Sequence, residues 1–231
     1  QLKYDKLLQE YQNLEKQKRK LDFKYNALKI ISSTSKEIAG LLDVTSIYAL
    51  MYEHLITLFE FHIFGVGFLS KDQTKITYPY YVRSGNMIEN YEEIKFNKPF
   101  ISFYSLQTLS PILIKDYATE HTQYQVDHRN HEKTKSLIFV PFSLSDGTQG
   151  ILTLQHEKEQ NFREFDFYLI QLIAGFASTA ISNATSYQSM QDYNQLLNDE
   201  KIKAEKANSL SESSLLALQK SHEELKNMTL K

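Results

Sequence analysis

The chain has 231 residues and a formal net charge of −2, so no global field draws nucleic acid or an acidic lipid surface. It has no cysteine, which excludes a disulfide framework, thiolate metal sites, a cysteine nucleophile and a thioether-linked bilin. No uninterrupted apolar run approaches the ~20 residues of a membrane span and no signal peptide is visible, so a cytoplasmic setting is expected.

Helix breakers are confined to the middle. Pro79, Pro99, Pro111 and Pro141 all lie there, and most glycines fall between Gly65 and Gly150. Helical ends and a central sheet follow from that. The chain opens on Gln1 with both ends in helical pattern, as expected of a segment of a longer protein.

Leu7, Leu14, Leu21 and Leu28 stand seven apart, with Tyr4, Tyr11, Lys18 and Tyr25 between them. This a/d seam predicts a two-stranded coiled coil over residues 1–28. The lysines around Arg19 are expected to be its solvated flank. The helix is expected to stop near Gly40, and Asp43 to cap a second helix over 44–59. HIFGVGFLS (62–70) and ITYPYYVRSG (76–85) predict paired strands. A short strand is expected around Glu93–Phe96, a short helix in PFISFYSLQT and a short strand over 111–115. The polar stretch 116–135 lacks apolar periodicity, and a loop that long suggests a ligand lid.

SLIFVPFSLSDGTQGILTLQH follows. It predicts two apolar strands joined at Asp146-Gly147, with both turn residues at positive φ and the first strand bulged at Pro141. In NFREFDFYLIQLIAGFASTAISNA, Phe165, Leu169, Leu172, Phe176, Ala180 and Ala184 recur at three- and four-residue spacing and predict one buried helix face. Hairpin, polar loop, aromatic-x-x-x-Asp and alanine-rich exit helix together resemble the C-terminal half of a GAF domain. The resemblance extends back to about residue 26 and implies an α+β fold with a six-stranded antiparallel sheet and flanking helices. It divides the chain into a coiled-coil helix (1–28), a sensory domain (29–186) and a signalling helix (187–231) leading to an output domain.

In that last segment Met190, Leu197, Ala204, Ser211, Leu218 and Leu225 repeat every seven, interleaved with Asn194, Lys201, Asn208 and His222. The seam is weak, and its phase differs from that of Ile173, Ala177, Ala180, Ala184 and Tyr187, as in a stammer.

The resemblance implies a ligand pocket formed around residues 99–135. The candidate ligand-binding residues are Tyr80, Arg83, Phe100, Tyr104, Asp116, Tyr117, Thr119, His121, Thr122, Tyr124 and Gln155. Tyrosine tips, hydroxyls and an arginine suit a planar polar ligand such as a cyclic nucleotide, cyclic AMP ahead of cyclic GMP. The Asn-Lys…Phe-x-x-x-Asp-Glu signature of phosphodiesterase-type GAF domains is met at Phe162 and Asp166. Phe167 replaces its glutamate, and Asn97-Lys98 lies too far upstream. His121, His128, His131 and His156 have no metal-site spacing and are expected at the surface, which places a haem or metal sensor third. No catalytic motif occurs, and no cofactor, metal, nucleic acid or membrane partner is expected. The expected function is ligand sensing by a parallel homodimer. HEELKNMTLK at the end resembles the linker into a diguanylate cyclase; a histidine-kinase regulator or a ligand-free dimeriser is the alternative.

Overall fold

Asp43 starts the architecture. Its carboxylate accepts from Ser46 N at 2.7 Å and caps α2 (Val44–Leu58), which packs beside α1 (Leu2–Ala39). The computed structural model describes residues 2–94, 100–124 and 133–229. The expected end of the short strand at Phe96, the Asn97-Lys98 pair, and His128 and His131 lie outside the described residues, as does any side-chain account of Tyr4, Leu7 and Leu225.

Among the described residues, seven strands form one antiparallel sheet in the order β3-β2-β1-β7-β6-β5, with β4 also paired to β2. They are β1 (Ile63–Leu69), β2 (Lys75–Arg83), β3 (Asn86–Met87), β4 (Tyr91–Ile94), β5 (Ile112–Ile114), β6 (Ser136–Ser143) and β7 (Gln149–His156). The expectation was six; the additional strand is the two-residue β3, too short to show periodicity. Between them lie α3 (Ile101–Thr108), α4 (Tyr117–Glu120) and a 3-10 turn (His121–Tyr124), so part of the expected lid loop is helical. The last helix, α5, runs Glu164–Thr229.

The sheet is buried on both faces. On one, Phe64, Val66, Leu152 and Leu154 meet α1 through Ala27, Ile31 and Ile38, α2 through Ile47, Met51 and Leu55, and the first part of α5. On the other, Ile76, Tyr78, Tyr81, Phe139 and Ile151 lie under α3 and Tyr117. The chain divides into two compact units, 1–185 and 186–231.

Three sequence expectations are corrected. The β6–β7 loop is Ser145-Asp146-Gly147, and of its central pair only Gly147 has positive φ, at 86°. Gly147 N bonds Leu144 O and Leu144 N bonds Thr148 O, as in a three-residue loop whose last residue is left-handed. Pro141 causes no bulge: β6 and β7 pair in unbroken register, and β5 has ended by Phe139, so one side of β6 is free there. The register shift is instead between β1 and β2, opposite Pro79. Third, Phe176 is 44 % exposed; the buried stripe of α5 is Leu169, Ile170, Ile173, Ala174, Ala177, Ala180, Ile181 and Ala184. Ile173, Ala177, Ala180 and Ala184 therefore belong to the domain's own core. Part of α5 is long and apolar enough by composition to cross a membrane, and this stripe accounts for much of that apolarity.

Gly65 and Gly67 in β1 carry the packing of the second face. A Cβ on Gly67 would stand 2.7 Å from the Tyr78 ring and 2.8 Å from Ile76 Cγ2. Both neighbours are fully buried. Gly67→Ala is expected to lower stability by about 1–3 kcal/mol through overpacking, read as a lower urea midpoint at unchanged m. An unchanged midpoint would mean that Tyr78 can yield without cost.

Candidate functional site beneath helix α3

Antiparallel register assembles the site. Arg83, Ile63, Gln155, Leu137 and Ile114 form one row across β2, β1, β7, β6 and β5; Tyr81, Gly65, Thr153, Phe139 and Ile112 form the next. Directly paired residues project to the same face. Arg83 and Gln155 are thereby brought to the α3 side. Tyr80 is not. The shift opposite Pro79 changes the phase of β2, so that Tyr78 and Tyr81 face α3 while Tyr80 packs on Tyr48, Tyr52 and Phe64 on the opposite side.

The centre of the site is a stack. Tyr81 and Tyr91 lie with centroids 3.9 Å apart and planes 19° off parallel, and the Arg83 guanidinium sits 5.6 Å from the first ring and 5.8 Å from the second. Arg83 Nη2 also donates to Tyr81 Oη at 3.3 Å, and that bond holds its pKa above the ordinary arginine range. Burial raises the Tyr81 phenol as well.

Beside the stack is a buried carboxyl. Glu93, at the third position of β4, is 4 % exposed. It accepts from Tyr78 Oη at 3.2 Å and from Ser102 Oγ in the first turn of α3. Burial raises its pKa to about 7, against the lowering effect of the two hydroxyls. On the Gln155 side, Thr134 Oγ1 donates to Gln155 Oε1 at 2.9 Å and Gln155 Nε2 donates to Thr153 Oγ1 at 3.4 Å.

The remaining candidates divide by position. Phe100 and Tyr117 are buried under the same face, and Tyr124 packs against them from the 3-10 turn. Tyr104 points outward from α3 and meets Tyr124 edge-on at 5.3 Å. Asp116 caps α4, accepting from Ala118 N at 3.0 Å and Thr119 Oγ1 at 2.8 Å. Thr122 donates to Thr119 O, and His121 stacks on Tyr117 with Nδ1 bonded to the Tyr117 carbonyl. Asp116, Thr119 and Thr122 thus shape the local backbone rather than line the face. Sequence reasoning missed Tyr78, Tyr81, Tyr91, Glu93, Ser102, Thr134 and Thr153. The usable signal was Gly65 and Gly67 alternating with large residues in β1, which marks one face as reserved for a close approach.

At the exit of the domain, Phe162 is buried and Asp166 accepts from Arg163 N, Nε and Nη2 at 2.8, 3.0 and 3.1 Å. This anchors the first turn of α5.

A sequence model of the GAF domain family matches residues 42–182. The chain belongs to the GAF domain family. No curated protein sequence matches it. Among solved structures, the GAF domain of a Coxiella burnetii phosphoenolpyruvate-protein phosphotransferase superposes with a TM-score of 0.57 at 14 % identity, covering 72 % of this chain and 98 % of that one. A GAF domain of a Bacillus halodurans two-component sensor histidine kinase gives 0.52 at 14 %, with 64 % and 99 % covered. Free methionine-R-sulfoxide reductase from Neisseria meningitidis, solved with its substrate, gives 0.53 at 11 %, with 70 % and 91 % covered. At such identities the likeness is one of fold. The GAF fold here has no group of three or more His, Cys, Asp or Glu residues placed for a metal among the described residues.

Glu93 makes stability depend on pH. Burial holds its folded pKa at about 7, above the ordinary carboxyl value of 4.5, so between the two the folded state keeps a proton that the unfolded state has lost. Stability should therefore fall as pH rises from 4.5 to 7, by on the order of 3 kcal/mol. Glu93→Gln should flatten that slope in urea unfolding series across the window. A slope identical in both proteins would place the titration elsewhere.

Proposed function

We propose that this GAF domain is a sensory module that binds a small planar ligand beneath α3 and regulates an effector through its flanking helices. The observation that carries this reading is the Tyr81–Tyr91–Arg83 stack beside Glu93. It offers a π surface, a cation and a buried acceptor within one face. A cyclic nucleotide has matching parts: a flat base to stack and a phosphate for Arg83. Cyclic AMP is favoured over cyclic GMP. Calorimetry with both should give saturable heat with cyclic AMP, lost in Arg83→Ala. Silence from both would remove the cyclic-nucleotide reading.

The proposed assembly is a parallel homodimer. Leu14, Leu21, Tyr25 and Leu28 of α1 are exposed in the single chain although their heptad spacing is strict. Burial of each leucine against a partner contributes about 1.5–3 kcal/mol. Leu14→Asp with Leu21→Asp should shift sedimentation from dimer to monomer while the sheet domain stays folded. Wild-type protein that sediments as a monomer would overturn the assembly. The proposed effector follows the C-terminal helix, a diguanylate cyclase being favoured over a histidine kinase. The domain would run from 29 to 186, in a cytoplasmic setting, between helices 1–28 and 187–231.

A ligand-free dimerisation module is the second reading. What favours it is that the Tyr78 and Tyr81 rings already occupy the hollow over Gly65 and Gly67.

A further inference from the structure

Away from the α3 face, a cavity of 620 Å³ opens between α1 and the loop that leads into α5. Its walls carry Lys20, Lys24, Lys115 and Arg163 against one carboxylate, Glu164, with Phe162 and Phe165 as apolar surface. All of these lie in the same compact unit. The volume is of the size that takes nucleotide-sized molecules, about 300–1,000 Å³.

The charge in this cavity is only partly neutralised. Glu164 is held by Lys115 at 2.6 Å, and Arg163 is fixed by the buried Asp166. Lys20 and Lys24 face the cavity with no carboxylate partner among the described residues; Lys24 lies 5.0 Å over the Phe165 ring. Sequence explains why they are there. Lys20, Lys24, Ala27 and Ile31 follow at helical spacing, so the face that buries Ala27 and Ile31 continues outward as two lysines. Lys24 is half-buried against the aromatic wall, and Lys20 is exposed at its rim.

We propose that this cavity is a second ligand site, for a small molecule bearing a polyphosphate group, distinct from the α3 face and sharing no residue with it. The polyphosphate would pair with Lys20 and Lys24 of α1 and with Lys115 and Arg163 of the sheet domain, and an aromatic or apolar part would lie on Phe165. Occupancy would staple α1 to the domain by charge-assisted bonds on both sides.

The test is calorimetry of the intact chain, in metal-free buffer at low salt, with adenosine triphosphate and separately with inorganic tripolyphosphate. Saturable binding of either is expected, weakening as salt rises. Lys20→Gln with Lys24→Gln should weaken it roughly tenfold or more. The control pair Lys16→Gln with Arg19→Gln, on the same helix but outside both the cavity and the heptad seam, should stay within about twofold, because exposed charges there are screened. Stronger binding of the nucleotide would assign the aromatic surface to a base, and equal binding would assign the site to the polyphosphate alone. Absence of binding by both anions, or equal losses in the two double variants with helicity retained, would overturn the site.

Discussion

The close approach of β2 to β1 is the constraint on which the α3 face rests. β1 is buried on both sides, and it solves the resulting crowding asymmetrically: Phe64 and Val66 fill the helix side, Gly65 and Gly67 leave the other side bare. Tyr78 and Tyr81 lie across that bare strip. The register shift opposite Pro79 is what allows both to do so, since strict alternation would send one of them to the opposite face. With the two rings in place, Tyr91 has a partner to stack on, Arg83 has an electron-rich surface to cover, and Glu93 has the Tyr78 hydroxyl as donor.

Polar groups follow the same logic on a smaller scale. Burying a carboxylate is costly unless donors satisfy it, and Glu93 receives two hydroxyls from different elements. Those bonds tie β2, β4 and α3 together, so the roof of the site is fixed to its floor through one ionisable group. Gln155 does the equivalent at the other end of the face with Thr134 and Thr153.

Much of the fold was legible because its signals are local. Asp43 ahead of an apolar run gives a cap and a helix; the runs around Asp146-Gly147 give a hairpin even though the turn geometry differs from expectation. The site was legible only where burial agrees with residue type. Phe100 and Tyr117 are where their apolar character would put them. Tyr80 fails because it stands three residues before Arg83 in the regular part of β2, where alternation sends the two to opposite faces. Glu93 was missed for the opposite reason: in Tyr-Glu-Glu-Ile nothing marks which acid is buried, and only the arrival of Ser102 from α3 decides it. Phe176 shows the same limit in a helix, where Ile173, Ala174 and Ala177 are buried in the core while Phe176 is left exposed.

The margins of the sheet carry a further implication. Among the described residues it ends on one side in β3 and β4, of two and four residues, and on the other in β5, of three, followed by the end of β6 around Pro141. Pro111 immediately precedes β5 and offers no amide to an incoming strand. Edges this brief give little template for strand addition, so runaway edge-to-edge pairing between copies is disfavoured.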